Sequence, residues 1–345
     1  MRPSLSRRQF LDRIVFGGAS VASVPRLAAT DSEKLQVMTV LGPIPVEEMG
    51  VTLTHEHVLV DFIGADKISR DRYDTADAFT KILPHLRRVR DLGCRTLVEC
   101  TPAYIGRDAA LLQRLSKASG LHLLTNTGYY GAADNKFLPK HAFTESVEQL
   151  TARWIAEWRE GIEGTGIRPG FIKIGVGGET LSELHGKLVR AAARTHLATG
   201  LVIASHTGPA RLALEELALL RGEGVDASVF IWVHAQAESD QMACLRVAEQ
   251  GAWVSFDGYG PDETARYVEV AKSLRGKGRL RQLLLSHDAG WYRPGEPDGG
   301  EFRPFDSLFK TLLPAFKEAG FSAAEIDQIM VRNPQSAFGV RIRRV

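Results

Sequence analysis

Residues 52–62 read TLTHEHVLVDF, with two histidines two apart in a run that otherwise looks like a buried strand. Side chains at i and i+2 of a strand share a face. His55 and His57 therefore project together, and Glu56 projects away. Two imidazoles on one face can grip one metal ion. Alone the pair carries little weight: ten histidines in 345 residues produce an HxH by chance in roughly a quarter of such chains. The remaining chemistry-bearing residues must decide. They are Lys173 in FIKIG, His206 in SHT, His234 in VHA and Asp288 in SHD.

These residues need elements to position them. After residue 35 the chain alternates apolar runs with amphipathic helical patterns. Eight runs read as strands: 52–60, 95–100, 122–127, 170–176, 201–205, 229–234, 252–256 and 282–286. Each is continuously apolar or nearly so, as in a parallel sheet covered by helices. Stretches such as TADAFTKILPHLRRVRDLG, ESVEQLTARWIAEWREGIEG and SELHGKLVRAAARTHLATG read as helices that stop near Gly. Eight β/α pairs predict an α/β fold, a single (β/α)8 TIM barrel, with a doubly wound open sheet as runner-up. No strand is followed by GxGxxG or a Walker-type loop, so nucleotide binding lacks support. MTVLGPIPVEEMG reads as a small lead-in hairpin, and residues 291–305 as a Gly- and Pro-rich loop over the top of the barrel.

In such a barrel the chemistry sits where the strands end. His55 and His57 belong to the first strand, Lys173 to the fourth, His206 to the fifth, His234 to the sixth and Asp288 to the eighth. Each has a bland reading, such as a capping aspartate or a lysine reaching the rim. Their joint occurrence in chain order on separate strands does not.

This set, with GVTLTHEHVLVD, TPAYIGRD, TNTGYYG, GFIKIGV and LLLSHD, resembles the phosphotriesterase family of the amidohydrolase superfamily. The wording is nearest its phosphotriesterase-homology and lactonase-like branches, and the resemblance spans residues 36–340. It implies that His55, His57 and Asp288 bind a more buried metal, and His206 and His234 a more exposed one. It implies two divalent ions, with zinc the expected metal. It further implies that Lys173 is carboxylated to N6-carboxylysine and bridges both. An ammonium between two cations would be repelled, and a carbamate lowers the charge of the filled site from about +3 to about +1. A bridging hydroxide is then the implied nucleophile, and Asp288 the catalytic residue that orients it and takes its proton.

Departures from the family pattern fall outside this set. Many members carry Asp three residues after the last metal histidine; here that place holds Ala237, with Glu238 next. The Asp-Arg of lactonases is Asp257-Gly258 here. Tyr130 falls roughly where lactonases place an aromatic residue near the metals, though Tyr129 is adjacent. Tyr130 and Asp257 are therefore the expected substrate-binding residues.

Composition bounds the rest. No basic patch points to nucleic acid. Residues 1–29 read as a signal peptide: Ser6-Arg7-Arg8-Gln9-Phe10-Leu11 resembles the twin-arginine motif, and a short apolar stretch and Ala28-Ala29 follow. The expected location is periplasmic or otherwise exported, the export machinery is an expected partner, and no stable membrane span is expected. The leader carries five arginines and one aspartate, so its removal takes the net charge from +2 to −2. Residues 30–345 form the expected hydrolase domain. Cys94, Cys100 and Cys244 lack metal-like spacing and read as buried free thiols. The activity expected is hydrolysis of a small ester or lactone, with phosphotriester cleavage as a side activity. The alternatives are an amidase or other C–N hydrolase, and a non-catalytic exported metal-binding barrel. A homodimer is suggested by analogy alone.

Overall fold

The computed structural model describes residues 35–341. The expected leader, residues 1–29, lies outside the described residues. An antiparallel hairpin comes first, β1 (Gln36–Thr39) and β2 (Gly42–Pro45). There follow β3 (Thr52–Leu59), β4 (Thr96–Glu99), β5 (His122–Leu124), β6 (Asn126–Thr127), β7 (Phe171–Gly175), β8 (Ile203–His206), β9 (Phe230–Val233), β10 (Trp253–Phe256), β11 (Leu283–Leu285) and β12 (Gly290–Tyr292). From β3 onward these strands pair with one another in parallel, in the orders β12-β3-β4-β5 and β6-β7-β8-β9-β10-β11. Between these strands run the helices α1 (Thr75–Asp91), α2 (Ala109–Ser119), α3 (Lys140–Thr144), α4 (Val147–Glu160), α5 (Glu183–Thr199), α6 (Ala210–Gly222), α7 (Gln241–Glu249) and α8 (Thr264–Gly276). The result is an α/β fold of parallel sheets flanked by helices.

The helices start and stop where local chemistry directs. Asp74 accepts from the N–H groups of Ala76 and Asp77 at the head of α1. Ser146 and Gln149 form a capping box at α4. Gly120 and Gly200 end α2 and α5 in the left-handed region, which residues with a Cβ rarely adopt.

The strands explain their own composition. Every residue of β4, β7, β9, β10 and β11 is buried, which requires near-continuous apolar runs. Alternation then divides them between two cores. Leu97, Ile172, Ile174, Phe230, Trp232, Leu283 and Leu285 pack in the layer beneath the helices. Val98, Phe171, Ile231, Val233 and Leu284 pack in an inner cluster with Val37, Val46, Met49 and Phe338. The lead-in hairpin thus supplies apolar side chains to the inner core.

Two expectations are corrected. The segment 122–127 is not one ladder. Leu124 pairs with Val98 and Asn126 with Phe171, and the change of partner falls at Thr125, whose carbonyl accepts from Gly170 N–H at 2.7 Å. The stretch read as a loop from 291 begins as a strand, with Gly290 opposite His57 and Tyr292 opposite Leu59. Gly290 is obligatory: its φ is +99°, and a Cβ there would sit 1.7 Å from the His57 carbonyl oxygen.

The three cysteines are free and buried, and burial pushes the Cys94 thiol up to about 12. Among the described residues no helix is long and apolar enough to cross a membrane.

Glu56 is fully buried and ties β3 to the segment after β11. Oε1 accepts from Ser286 Oγ (2.8 Å), the His287 amide (3.0 Å) and His287 Nδ1 (2.6 Å), and Oε2 from the Ala289 amide (2.9 Å). Glu56→Ala would strand these donors in the interior. We expect a loss of roughly 3–5 kcal/mol, read from the denaturant midpoint; a loss within 1 kcal/mol would contradict this role.

Candidate metal centre

Simple alternation does not bring the donors together. Leu53 faces the helix layer, so His55 and His57 would follow it. A register irregularity in the β3–β4 pairing between Leu53 and Glu56 changes that parity, and both histidines line the inner cavity. His234 follows Val233 of the inner core and would turn outward, but its φ of +65° re-aims it. Asp288 has a φ of +52° at the end of its strand. Lys173 and His206 need no such device, standing two residues after Phe171 and Ala204 of the inner cluster.

The six side chains line one cavity of about 390 Å³. The Nε2 atoms of His55 and His57 are 3.2 Å apart. Asp288 Oδ1 lies 3.6 Å from the first and 3.0 Å from the second. The ring centroids of His55 and His234 are 5.0 Å apart, and those of His234 and His206 are 4.4 Å apart. Lys173 is buried and its Nζ is 3.5 Å from the Ile174 carbonyl.

Two of the outer ring nitrogens, those of His57 and His234, are held from behind. His57 Nδ1 is 2.8 Å from Thr101 Oγ1, and Thr101 donates to Glu99 at 2.5 Å. His234 Nδ1 is 2.7 Å from Asp257 Oδ1. His55 Nδ1 lies 3.3 Å from Asp257 Oδ2, a charge contact without hydrogen-bond alignment. Imidazoles anchored on one nitrogen and convergent through the other are the arrangement of metal ligands. The donor atoms of His55, His57 and Asp288 all fall within 4.8 Å of one another.

Charge states agree with that role. Burial, then the positive neighbours His234 and Lys173, holds His206 well below the ordinary histidine range. Burial also lowers His55 against the pull of Asp257. Burial opposes the charge on His234, but Asp257 outweighs it and raises the group. Asp257 resists its own desolvation through His234 and His55 and stays well below the usual carboxylate range. Burial penalises the charge on Asp288 too, but His57 draws it down and keeps it ionised. Lys173 is lowered by burial, only partly offset by Cys100, Asp257 and Asp288. Its amine is shifted toward the neutral form, and a neutral amine is what can bind a metal or take up carbon dioxide.

The structure separates the secondary expectations. Tyr130 faces the cavity, its hydroxyl 3.1 Å from His206 Nε2, while Tyr129 turns away to His141. Asp257, expected to touch substrate, does not reach the cavity: it is wholly buried beneath His55 and His234 and orients them. Glu238 does not stand in for an aspartate at Ala237; it accepts from the amides of Ala210, at the head of α6, and Asp240. Sequence reasoning missed Thr101 and Glu99 behind His57. It also missed the apolar half of the cavity. Phe62, Phe137 and Trp291 continue from Tyr130 around to His57 with ring centroids 5.5–6.4 Å apart. A lone Trp in a polar segment three residues after Asp288 was the one available signal.

Imidazoles, a buried lysine and a carboxylate at the carboxyl ends of parallel strands define a metal-binding α/β protein. The chain belongs to the phosphotriesterase family, whose model matches residues 35–338. It is 32% identical to a phosphotriesterase homology protein of Escherichia coli, over 84% of this chain and 98% of that one. It is 30% identical to a phospho-furanose lactonase of Mycoplasmopsis synoviae, over 86% and 90%. A solved structure described as "Molecular Engineering of Organophosphate Hydrolysis Activity from a Weak Promiscuous Lactonase Template" superposes with a TM-score of 0.79 at 27% identity, covering 88% of this chain and all of that one.

Because Asp257 holds two of the histidines, Asp257→Asn should weaken metal binding by roughly 10- to 100-fold. Competition with a chromophoric chelator measures this. Unchanged affinity would show that Asp257 is not an orienting group.

Proposed function

We propose that the protein is a metal-dependent hydrolase of small esters or lactones, with phosphotriester cleavage as a side activity. The observation that carries this is the convergence of His55, His57, Lys173, His206, His234 and Asp288 on one cavity. Likeness to lactonase relatives supports the substrate class. On this reading the two sheets close into a single (β/α)8 barrel, supported by bonds between β11 and β3 such as Thr54 Oγ1 to the Leu285 carbonyl at 3.2 Å.

His55, His57 and Asp288 would hold one divalent ion, and His206 and His234 a second, with zinc the expected metal. Lys173, as its carbamate, would bridge the two: the buried amine has a weak acceptor in the Ile174 carbonyl and, among the described residues, no ion pair, and it gains anionic character on carboxylation. When bound, the ions acidify water and polarise a carbonyl or phosphoryl oxygen. The chain's own residues do the rest. Burial pushes the Tyr130 phenol up, so it remains protonated and can donate to substrate. Asp288, ionised and a quarter exposed, can accept the proton released on attack and pass it to the leaving group. Thr101 and Asp257 keep the imidazoles in place. The apolar arc of Phe62, Phe137 and Trp291 excludes water and receives the body of the substrate. We also infer export through the twin-arginine route; pairing Arg7→Lys with Arg8→Lys should leave the protein in the cytoplasm.

Purified protein should contain about two metals per chain and hydrolyse lactones or aryl esters faster than phosphotriesters. Chelation should abolish turnover and metal readdition restore it. Asp288→Asn should lower kcat by roughly 10²- to 10⁴-fold. Lys173→Ala should be inactive and regain activity with added short carboxylates. Full activity of Lys173→Ala would sink the proposed bridge, and hydrolysis confined to amides would reassign the substrate class.

A further inference from the structure

A second cavity of about 550 Å³ lies outside the metal centre, and nothing in the reaction uses it. It is back to back with the metal cavity. Leu59, Asp61, Tyr104 and Tyr129 line it, while Val60, Phe62, Ile105 and Tyr130 line the other. Neighbouring residues of the same segments thus face opposite cavities.

Its walls combine aromatic rings with paired charges. Tyr104, Tyr129 and Trp154 form an edge-to-face series with centroids 5.5 Å apart at each step. Each carboxylate facing the cavity is consumed. Glu157 takes Arg107 at 2.6 Å, Glu163 takes Arg70 at 2.6 Å, and Asp61 takes Arg72 at 2.5 Å. The arginines keep spare donors. Arg153 commits Nε and Nη2 to Glu145, at 2.7 and 2.5 Å, which leaves Nη1. A charged ligand would be desolvated here without a free counter-charge. A flat uncharged ring gains edge and face contacts with the tyrosines and Trp154, and an oxygen acceptor on it meets spare N–H groups.

We propose that this cavity is a binding site for an uncharged aromatic compound carrying a hydrogen-bond acceptor, distinct from the metal centre and independent of its chemistry. Calorimetric titration of the full chain with benzamide, acetophenone and benzoate tests it, on metal-loaded and chelated protein. The two neutral probes should bind with Kd on the order of 1 mM or tighter, equally well with or without metal and in Asp288→Asn. Ala156→Trp, which fills the cavity from α4, should weaken them at least tenfold while ester turnover persists. Tyr104→Asn, chosen because Asn tolerates the left-handed backbone at that position (φ +68°), should do the same. Loss of binding on chelation or in Asp288→Asn would place the probes at the metal centre and overturn the proposal. So would absence of binding, tight binding retained in both cavity variants, or benzoate binding as tightly as benzamide.

Discussion

The structure turns on side-chain parity in parallel strands. One face of each strand is committed to the helix layer and the other to an inner core, so a donor is useful only if it falls on the inner face. Lys173 and His206 satisfy this by position alone. The other donors do not arrive so simply: β3 slips its register between Leu53 and Glu56, and His234 and Asp288 adopt left-handed backbone. Left-handed conformations in non-glycine residues cost about 1–3 kcal/mol each and persist only where the surroundings over-determine them. Here the surroundings are buried carboxylates.

Three of them act in parallel. Glu56 holds His287 and the backbone just before Asp288 and just after it. Asp257 holds His234 by ring and by amide. Glu99 holds His57 through Thr101, and burial pushes its carboxyl up to about 7. An acid sunk behind an imidazole fixes ring orientation and tautomer together, which a hydrophobic wall could not. The strain at the rim and the acids beneath it are therefore one device.

Much of this was legible in the residues, for physical reasons. Strands buried on both faces must be continuously apolar, so 170–176 and 229–234 announce themselves, and polar residues at their ends stand out. What was hidden depends on parity at single residues. Nothing local distinguishes Tyr129 from Tyr130, which face different cavities. Asp257 looks like a pocket residue until His55 and His234 are seen to cover it. Glu238, next to Ala237, turns instead to the head of α6. The apolar arc was invisible because Phe62, Phe137 and Trp291 come from three separate segments with no common spacing.

The lead-in hairpin does more than fill the inner core. The Gln36 amide donates to the Val340 carbonyl at 2.9 Å, and the Val340 amide returns the bond at 2.8 Å. The first and last described segments are thus stitched into a single antiparallel bridge. Circular permutants joined by a short linker across this bridge should keep the centre intact. New ends could then be opened in surface turns such as 277–279, making the scaffold re-threadable without disturbing its chemistry.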